Sequence, residues 1–353
     1  MTSKHYSRSA YHAGSWYEDE SPQLNLTLQN FLDDATVTVT SQLTAAHETQ
    51  HGGTRMGIPR GIISPHAGYS YSGPTAAYAY MHLREALERG FKGTVLVLHP
   101  SHHVHIDGCA ISGASMIETP LHNIPVDNSL RLELLQTKQF STMSKQVDER
   151  EHSGEMQYPY IAKVYTDYIQ QQRSSNSNKS SSSSSHSEAT LQILPIMVGS
   201  TSTSQESFFG KILAPILSRD NIFTIISTDF CHWGSRFGYT PTSTNSNEFN
   251  QSRREIHEYI EWLDNLGMDQ ITLKEPGAFA KYMKTYKNTI CGRHPIGVYL
   301  HALKENSNQH SKQQHANKKE HVNLCFVKYA QSSQVKRMGE SSVSYASAVA
   351  RKV

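Results

Sequence analysis

Four short apolar runs constrain the fold more than any other feature of the chain: GIIS (61–64), GTVLVLHP (93–100), LQILPIMVG (191–199) and NIFTIIST (221–228). Each is short, rich in β-branched residues and flanked by turn formers, the pattern of buried strands. Helical spacing fills the gaps between them. Ser21 and Pro22 open a helix whose Leu24, Leu28, Phe31 and Leu32 share one face. PTAAYAYMHLREAL (74–87), YPYIAKVYTDYIQQ (158–171), ESFFGKILAPILSR (206–219) and HPIGVYLHALKE (294–305) also read as helices, and VNLCFVKYA (322–330) as the final strand. Strands alternating with helices predict a layered α/β fold around a mainly parallel or mixed sheet.

The 353 residues are only 37% hydrophobic. Much of that deficit sits in polar stretches at 43–57, 173–189 and 305–321, which fall between elements and therefore read as loop or disordered insertions in a single domain, 1–353. The 33 basic and 31 acidic residues nearly cancel, leaving no basic field for nucleic acid. A membrane span needs about twenty consecutive apolar residues, and none occurs. The stretch Met1–Ala13 lacks the apolar segment of a secretory signal. Four scattered cysteines, Cys109, Cys231, Cys291 and Cys325, are too few for a disulfide framework, and the chain reads as a reduced cytoplasmic or nuclear protein.

Three strands end on chemistry. GIIS runs into Pro65-His66, TVLVL into His99-Pro-Ser-His-His-Val-His, and FTIIS into Thr-Asp-Phe-Cys-His with Asp229 and His232. If the strands run parallel, these groups gather outside one edge of the sheet. A single strand-end histidine is often a hydrogen-bonded structural residue, and most of the 99–105 cluster must be bystanders to any one ion. Three such segments together point to a site. NTICGRHPIG (288–297) adds Cys291 just before a helix, with Arg293 beside it, a setting for a ligand or a nucleophile. His152 and Glu155 sit three apart, placing them on one helical turn as either a site pair or a capping pair. Trp16 and Tyr17 follow a glycine and line either a pocket mouth or the core. Cys325, inside an apolar strand, reads as a core residue. Signatures for dinucleotide, P-loop, serine-hydrolase and zinc-knuckle chemistry are missing.

In order along the chain, HAGSWY, PHAGYSYSG, PSHHV, EHSGEMQYPY, STDFCHWG, TICGRHPIG and YAQSS…SSVSYA resemble the motifs of the Memo family, named for mediating ErbB2-driven cell motility. That family is similar in fold to the class III extradiol dioxygenases, which implies a three-layer α/β/α domain with a central mixed sheet. The resemblance implies that His66, His102 and Cys291 are metal ligands and that His232 is an acid–base group with Asp229 beside it. Trp16, His103, His152, Glu155 and Arg293 would then wall the pocket or support the ligands. Iron or copper, with zinc admitted, is the implied cofactor. A thiolate in place of a carboxylate weighs against ring-cleaving chemistry and toward softer metals. The resemblance implies a role in motility, signalling and redox homeostasis. It leaves a second reading open: an adaptor whose pocket binds signalling proteins or phosphopeptides without turnover. Gly154 stands where the family leads one to expect an aliphatic residue, which predicts a looser wall near His152 and Glu155.

Overall fold

The computed structural model describes residues 6–49, 57–177, 190–242, 255–312 and 322–353. The chain opens with β1 (Tyr6–Arg8), α1 (Ser21–Thr49), β2 (Ile58–Ser64), α2 (Tyr69–Glu88) and β3 (Thr94–Pro100). Next come β4 (Cys109–Ile111), β5 (Ala114–Ile117), β6 (Ile124–Pro125), α3 (Asn128–Gln136), β7 (Phe140–Thr142), α4 (Lys145–Arg150) and α5 (His152–Glu155). After α6 (Tyr158–Ser177), β8 (Gln192–Val198) and α7 (Thr203–Leu217), β9 (Ile222–Ser227) leads into the short β10 (His232–Trp233). α8 (Ile256–Thr272), α9 (Pro276–Tyr286), α10 (Arg293–Lys312), β11 (Val322–Gln331) and β12 (Ser342–Lys352) complete it.

The main sheet has the order β10-β12-β2-β9-β3-β8-β4-β7, with β11 paired to β12. Its centre, β2, β9, β3 and β8, is parallel, while β12 runs antiparallel to β2 and β4 antiparallel to β8. Helices α1, α2 and α6 cover one face, and α7 to α10 the other. The sheet is mixed and the architecture is three-layered, α/β/α. Burial on both faces explains why the central strands are nearly continuous apolar runs. Register then places the site: Ser64 pairs with Ser227, so the chain leaves β2 and β9 side by side, and β3 ends next to β9.

Several local expectations change. Helix α2 begins at Tyr69, five residues before Pro74, because the burial of Tyr69 and Ser72 favours helix where local sequence does not. α1, α6 and α10 continue into the polar stretches as far as Thr49, Ser177 and Lys312. The rest of those stretches, 50–56, 178–189 and 313–321, lies outside the described residues. The final strand is β12, a serine- and alanine-rich segment with no strong apolar run. Cys325 is exposed and not a core residue: in β11, which among the described residues pairs with β12 alone, Asn323 and Cys325 face outward while Leu324 faces in.

The N-terminal strand is held by charge. Arg8 is fully buried; its Nε donates to Asp148 Oδ1 at 3.1 Å and Nη1 to Glu155 Oε2 at 2.6 Å. Nη2 donates to the carbonyls of Asp148 and Glu151, each at 3.0 Å. Removing one partner of a buried pair leaves the others uncompensated, typically at about 3–5 kcal/mol. Arg8→Leu should therefore lose stability of that order in chemical denaturation, because Asp148 and Glu155 would stay buried without their cation.

Candidate metal centre

Four loops converge at the carboxyl ends of the parallel strands. His66 leaves β2, His102 leaves β3, Asp229 leaves β9, and Cys291 precedes α10. Ligand atoms of His66, His102 and Cys291 lie within 4.8 Å of one another. Cys291 Sγ is 3.1 Å from His66 Nε2 and accepts the Asp229 backbone N–H at 3.1 Å. Asp229 in turn accepts the His66 backbone N–H at Oδ1, 2.8 Å away. The three loops are thus fastened directly to one another.

Hydrogen bonding fixes which ring nitrogens face inward. The Ser227 hydroxyl donates to the Ser153 carbonyl at 2.7 Å and accepts from Gln157 Nε2 at 3.0 Å. Its remaining contact, 2.8 Å from His66 Nδ1, must be donation by the ring, which leaves Nε2 of His66 as the free nitrogen toward Cys291. His102 Nδ1 lies 2.8 Å from Glu151 Oε1, an acceptor, so its Nε2 also turns inward. His232 repeats the arrangement: Nδ1 is 2.9 Å from the Phe230 carbonyl and 3.1 Å from that of Thr289. Three imidazoles are held as Nδ1–H donors.

Environment sets their charge. Burial first, then His102 and His152, hold His66 well below the ordinary histidine range, so it is neutral. Burial opposes charge on His102, but hydrogen bonds to Cys291 and Glu151 outweigh it and raise it to about 10. Burial also favours the neutral form of Glu151, yet the hydrogen bond and charge of His102 hold its carboxyl well below the usual range. Asp229 is pushed up by burial, against the pull of His232 and the His66 amide. Burial, with His102 and His12 adding, lowers His152 to about 3 despite nearby Glu151.

The flanking residues divide. Trp16 packs on His152 with centroids 4.3 Å apart and planes tilted by 31°, and His152 stacks on His102 at 4.5 Å, making one wall of three rings. His103 is exposed, 6.0 Å from His152. Glu155 turns away from the trio, accepting from Arg8, the His12 backbone and Tyr17. Arg293 is exposed at the start of α10. Cys231 is buried, and burial with nearby Asp264 pushes its thiol well up, so it does not form a nucleophilic pair with His232. Glu151, Ser227 and His12 escaped sequence reading. Glu151 adjoins His152, but nothing in a lone Glu-His pair says which strand end it will face.

The wall near Gly154 is not loose. A Cβ there would lie 2.7 Å from Tyr158 Oη and 3.1 Å from His99 Nε2, so those two side chains occupy the space an aliphatic group would take. Overpacking of this kind costs about 1–3 kcal/mol. Gly154→Ala should lower the denaturation midpoint accordingly and displace His99 in a crystal structure.

Behind His232, buried Asp264 accepts from the Cys231 backbone, Asn288 and Tyr329. Burial, against those hydrogen bonds, raises it from an ordinary 3.8 to about 6. Between those values the native chain keeps a proton that the unfolded chain has released, so stability falls as pH rises, by about 3 kcal/mol in all. Asp264→Asn should flatten that part of the stability–pH curve measured by urea unfolding.

Residues 8–349 match the family described as Memo-like protein. The chain belongs to the Memo family. It is similar to Protein MEMO1 of Danio rerio, 38% identical over 349 residues and 98% of each chain. The human Protein MEMO1 is 37% identical over 346 residues, again 98% of each. The Protein memo-1 homolog of Caenorhabditis elegans is 37% identical across 98% of this chain and 82% of its own. A solved structure of an uncharacterised Escherichia coli K12 protein is 12% identical over 83% of this chain and 99% of that one, with a TM-score of 0.43. Among the described residues of this Memo chain, no helix is long and apolar enough to cross a membrane.

Proposed function

We propose that this Memo-family chain holds iron or copper, with zinc also admitted, through His66, His102 and Cys291, and serves redox chemistry. The carrying observation is the convergence of those three donors within 4.8 Å, two of them imidazoles already oriented with Nε2 inward. The donors fit a metal after a small opening and after His102 gives up the second proton it carries near neutral pH. A tetrahedral site with nitrogen at 2.0–2.1 Å and sulfur at 2.3 Å needs about 3.6 Å between them, against 3.1 Å for His66 Nε2 and Cys291 Sγ. Two imidazoles and a thiolate form a softer set than two imidazoles and a carboxylate, which favours copper or zinc while admitting iron, and weighs against ring cleavage.

A metal bound here would supply a Lewis acid or a one-electron couple. The chain's own groups would do the rest. His232, tied at Nδ1 to two carbonyls, can take or give a proton at Nε2. Asp229 holds the His66 loop and the Cys291 sulfur in register. Trp16 and His152 would form an aromatic wall for a substrate. A thiolate ligand survives best in a reducing compartment, so we place the protein in the cytoplasm or nucleus. The links to cell motility, signalling and redox homeostasis enter through the family alone.

The adaptor reading is less well supported. A phosphopeptide needs cations where its phosphate sits; His102 and the exposed Arg293 could supply them, but the neighbouring cleft beside Trp16, about 740 Å³, is lined by Glu18, Asp19 and Glu20, which would repel an anionic peptide.

Elemental mass spectrometry on untagged protein, purified anaerobically and supplied with Fe(II), Cu(I) or Zn(II) in turn, decides between the two readings. Wild type should retain close to one equivalent of iron or copper, and His102→Ala and Cys291→Ser should lose it while staying folded. If wild type retains no metal under any condition, the metal reading fails and the adaptor reading takes its place.

A further inference from the structure

We infer that Glu151 is the positioning residue of the site: a buried carboxylate that fixes both the backbone and the ring of His102, and is not itself a ligand. The inference rests on the ligand set proposed above. Glu151 is only 1% exposed. Its Oε2 accepts the His102 backbone N–H at 2.6 Å, while Oε1 accepts His102 Nδ1–H at 2.8 Å. Oε1 also accepts the Ser153 backbone N–H at 3.0 Å, which anchors the carboxylate to the start of α5. One side chain therefore grips His102 at two points and sets the rotation of its ring. An imidazole whose far nitrogen donates to a carboxylate is both oriented and made a stronger donor at the near one.

His102, Glu151 and His152 also bring three donor atoms within 4.8 Å, with two imidazoles and a carboxylate, a composition suited to a second ion. Ring geometry argues against it. The His102 and His152 rings are stacked, 4.5 Å apart and tilted by 25°, so their in-plane lone pairs run nearly side by side. An ion between them would sit about 2 Å out of each ring plane, whereas imidazole binds metal in its plane at 2.0–2.1 Å. Both oxygens of Glu151 are already committed to N–H donors. His152 Nδ1 is 3.5 Å from Oε1 and makes no hydrogen bond to it. The carboxylate serves His102 from behind, and His152 serves as a wall.

The test uses the full chain with Co(II) as probe, whose sulfur-to-cobalt absorption band reports Cys291. It adds the downfield Nδ1–H proton resonance of His102, read without metal and assigned by its loss in His102→Ala. Glu151→Gln keeps the shape of the side chain and removes its charge. It should weaken Co(II) binding by about 10- to 100-fold, leave the sulfur band in place, and shift or broaden the His102 resonance. Co(II) affinity and resonance both unchanged in Glu151→Gln would overturn the inference, as would loss of the sulfur band together with a normal resonance. If wild type binds no Co(II) but the resonance still responds, the ligand reading fails and the positioning role stands. Should Glu151→Gln not fold, Glu151→Asp, which withdraws the carboxylate by one methylene, carries the same expectations.

Discussion

A buried guanidinium is the constraint on which the candidate site depends. Arg8 reaches from the N-terminal strand to two carboxylates and to the carbonyls of Asp148 and Glu151, over the Tyr158 ring 5.2 Å away. Burial works against its charge, but the carboxylates of Glu155 and Asp148 more than compensate, so it stays ionised. The consequence is positional. Residues 148–155 carry Glu151 and His152 to the site, and Arg8 fixes that segment's backbone from beneath. Through Glu155 the same network reaches His12 and Tyr17, which flank Trp16 in the chain. The N-terminus thus becomes part of a wall built mostly from the middle of the sequence.

On the opposite side the constraint is the sheet. Parallel pairing of β2, β9 and β3 makes three loops leave at one edge, and hydrogen bonds among His66, Asp229 and Cys291 then tie the β2 and β9 loops to the segment before α10. Asp229 is accordingly committed to holding backbone, while His232 keeps a free ring nitrogen. Two residues three apart in sequence take different tasks because the Asp229 carboxylate accepts the His66 backbone N–H, while the His232 ring is held at Nδ1 and leaves Nε2 toward the site.

What was legible in the sequence follows from range. Strands β2, β3, β8 and β9 are buried on both faces, so composition alone marked them, and the turn residues after them marked the strand ends. The helix at Leu24, Leu28 and Leu32 was equally plain, since all three are fully buried. What was hidden depends on partners far away in the chain. Arg8 reads as a solvated N-terminal charge until Asp148 and Glu155 are in place. Strand β12 is mostly serine and alanine, and its burial comes from lying between β2 and β11, not from its own hydrophobicity. Cys325 misled because edge position, which decides whether alternate residues face out, is a property of the sheet and not of the strand.

The one-turn helix His152–Glu155 brings these influences together. Glu151 and Glu155 are the same residue type four apart, a spacing that puts neighbours on one face of a regular helix. Here the helix starts only after Glu151, whose extended backbone lets its side chain turn back to cap Ser153 and reach His102. Glu155, one turn later, points to Arg8. Between them Gly154 lets the His99 ring and the Tyr158 hydroxyl approach closer than a methyl group would permit. His99 in turn holds Ser153 from the strand side, its Nδ1 3.0 Å from the Ser153 hydroxyl. A longer helix would have carried both carboxylates to the same side, and either His102 or Arg8 would have lost its partner. The short turn, and the glycine inside it, are what allow one segment to serve the metal-facing and the structural networks at once.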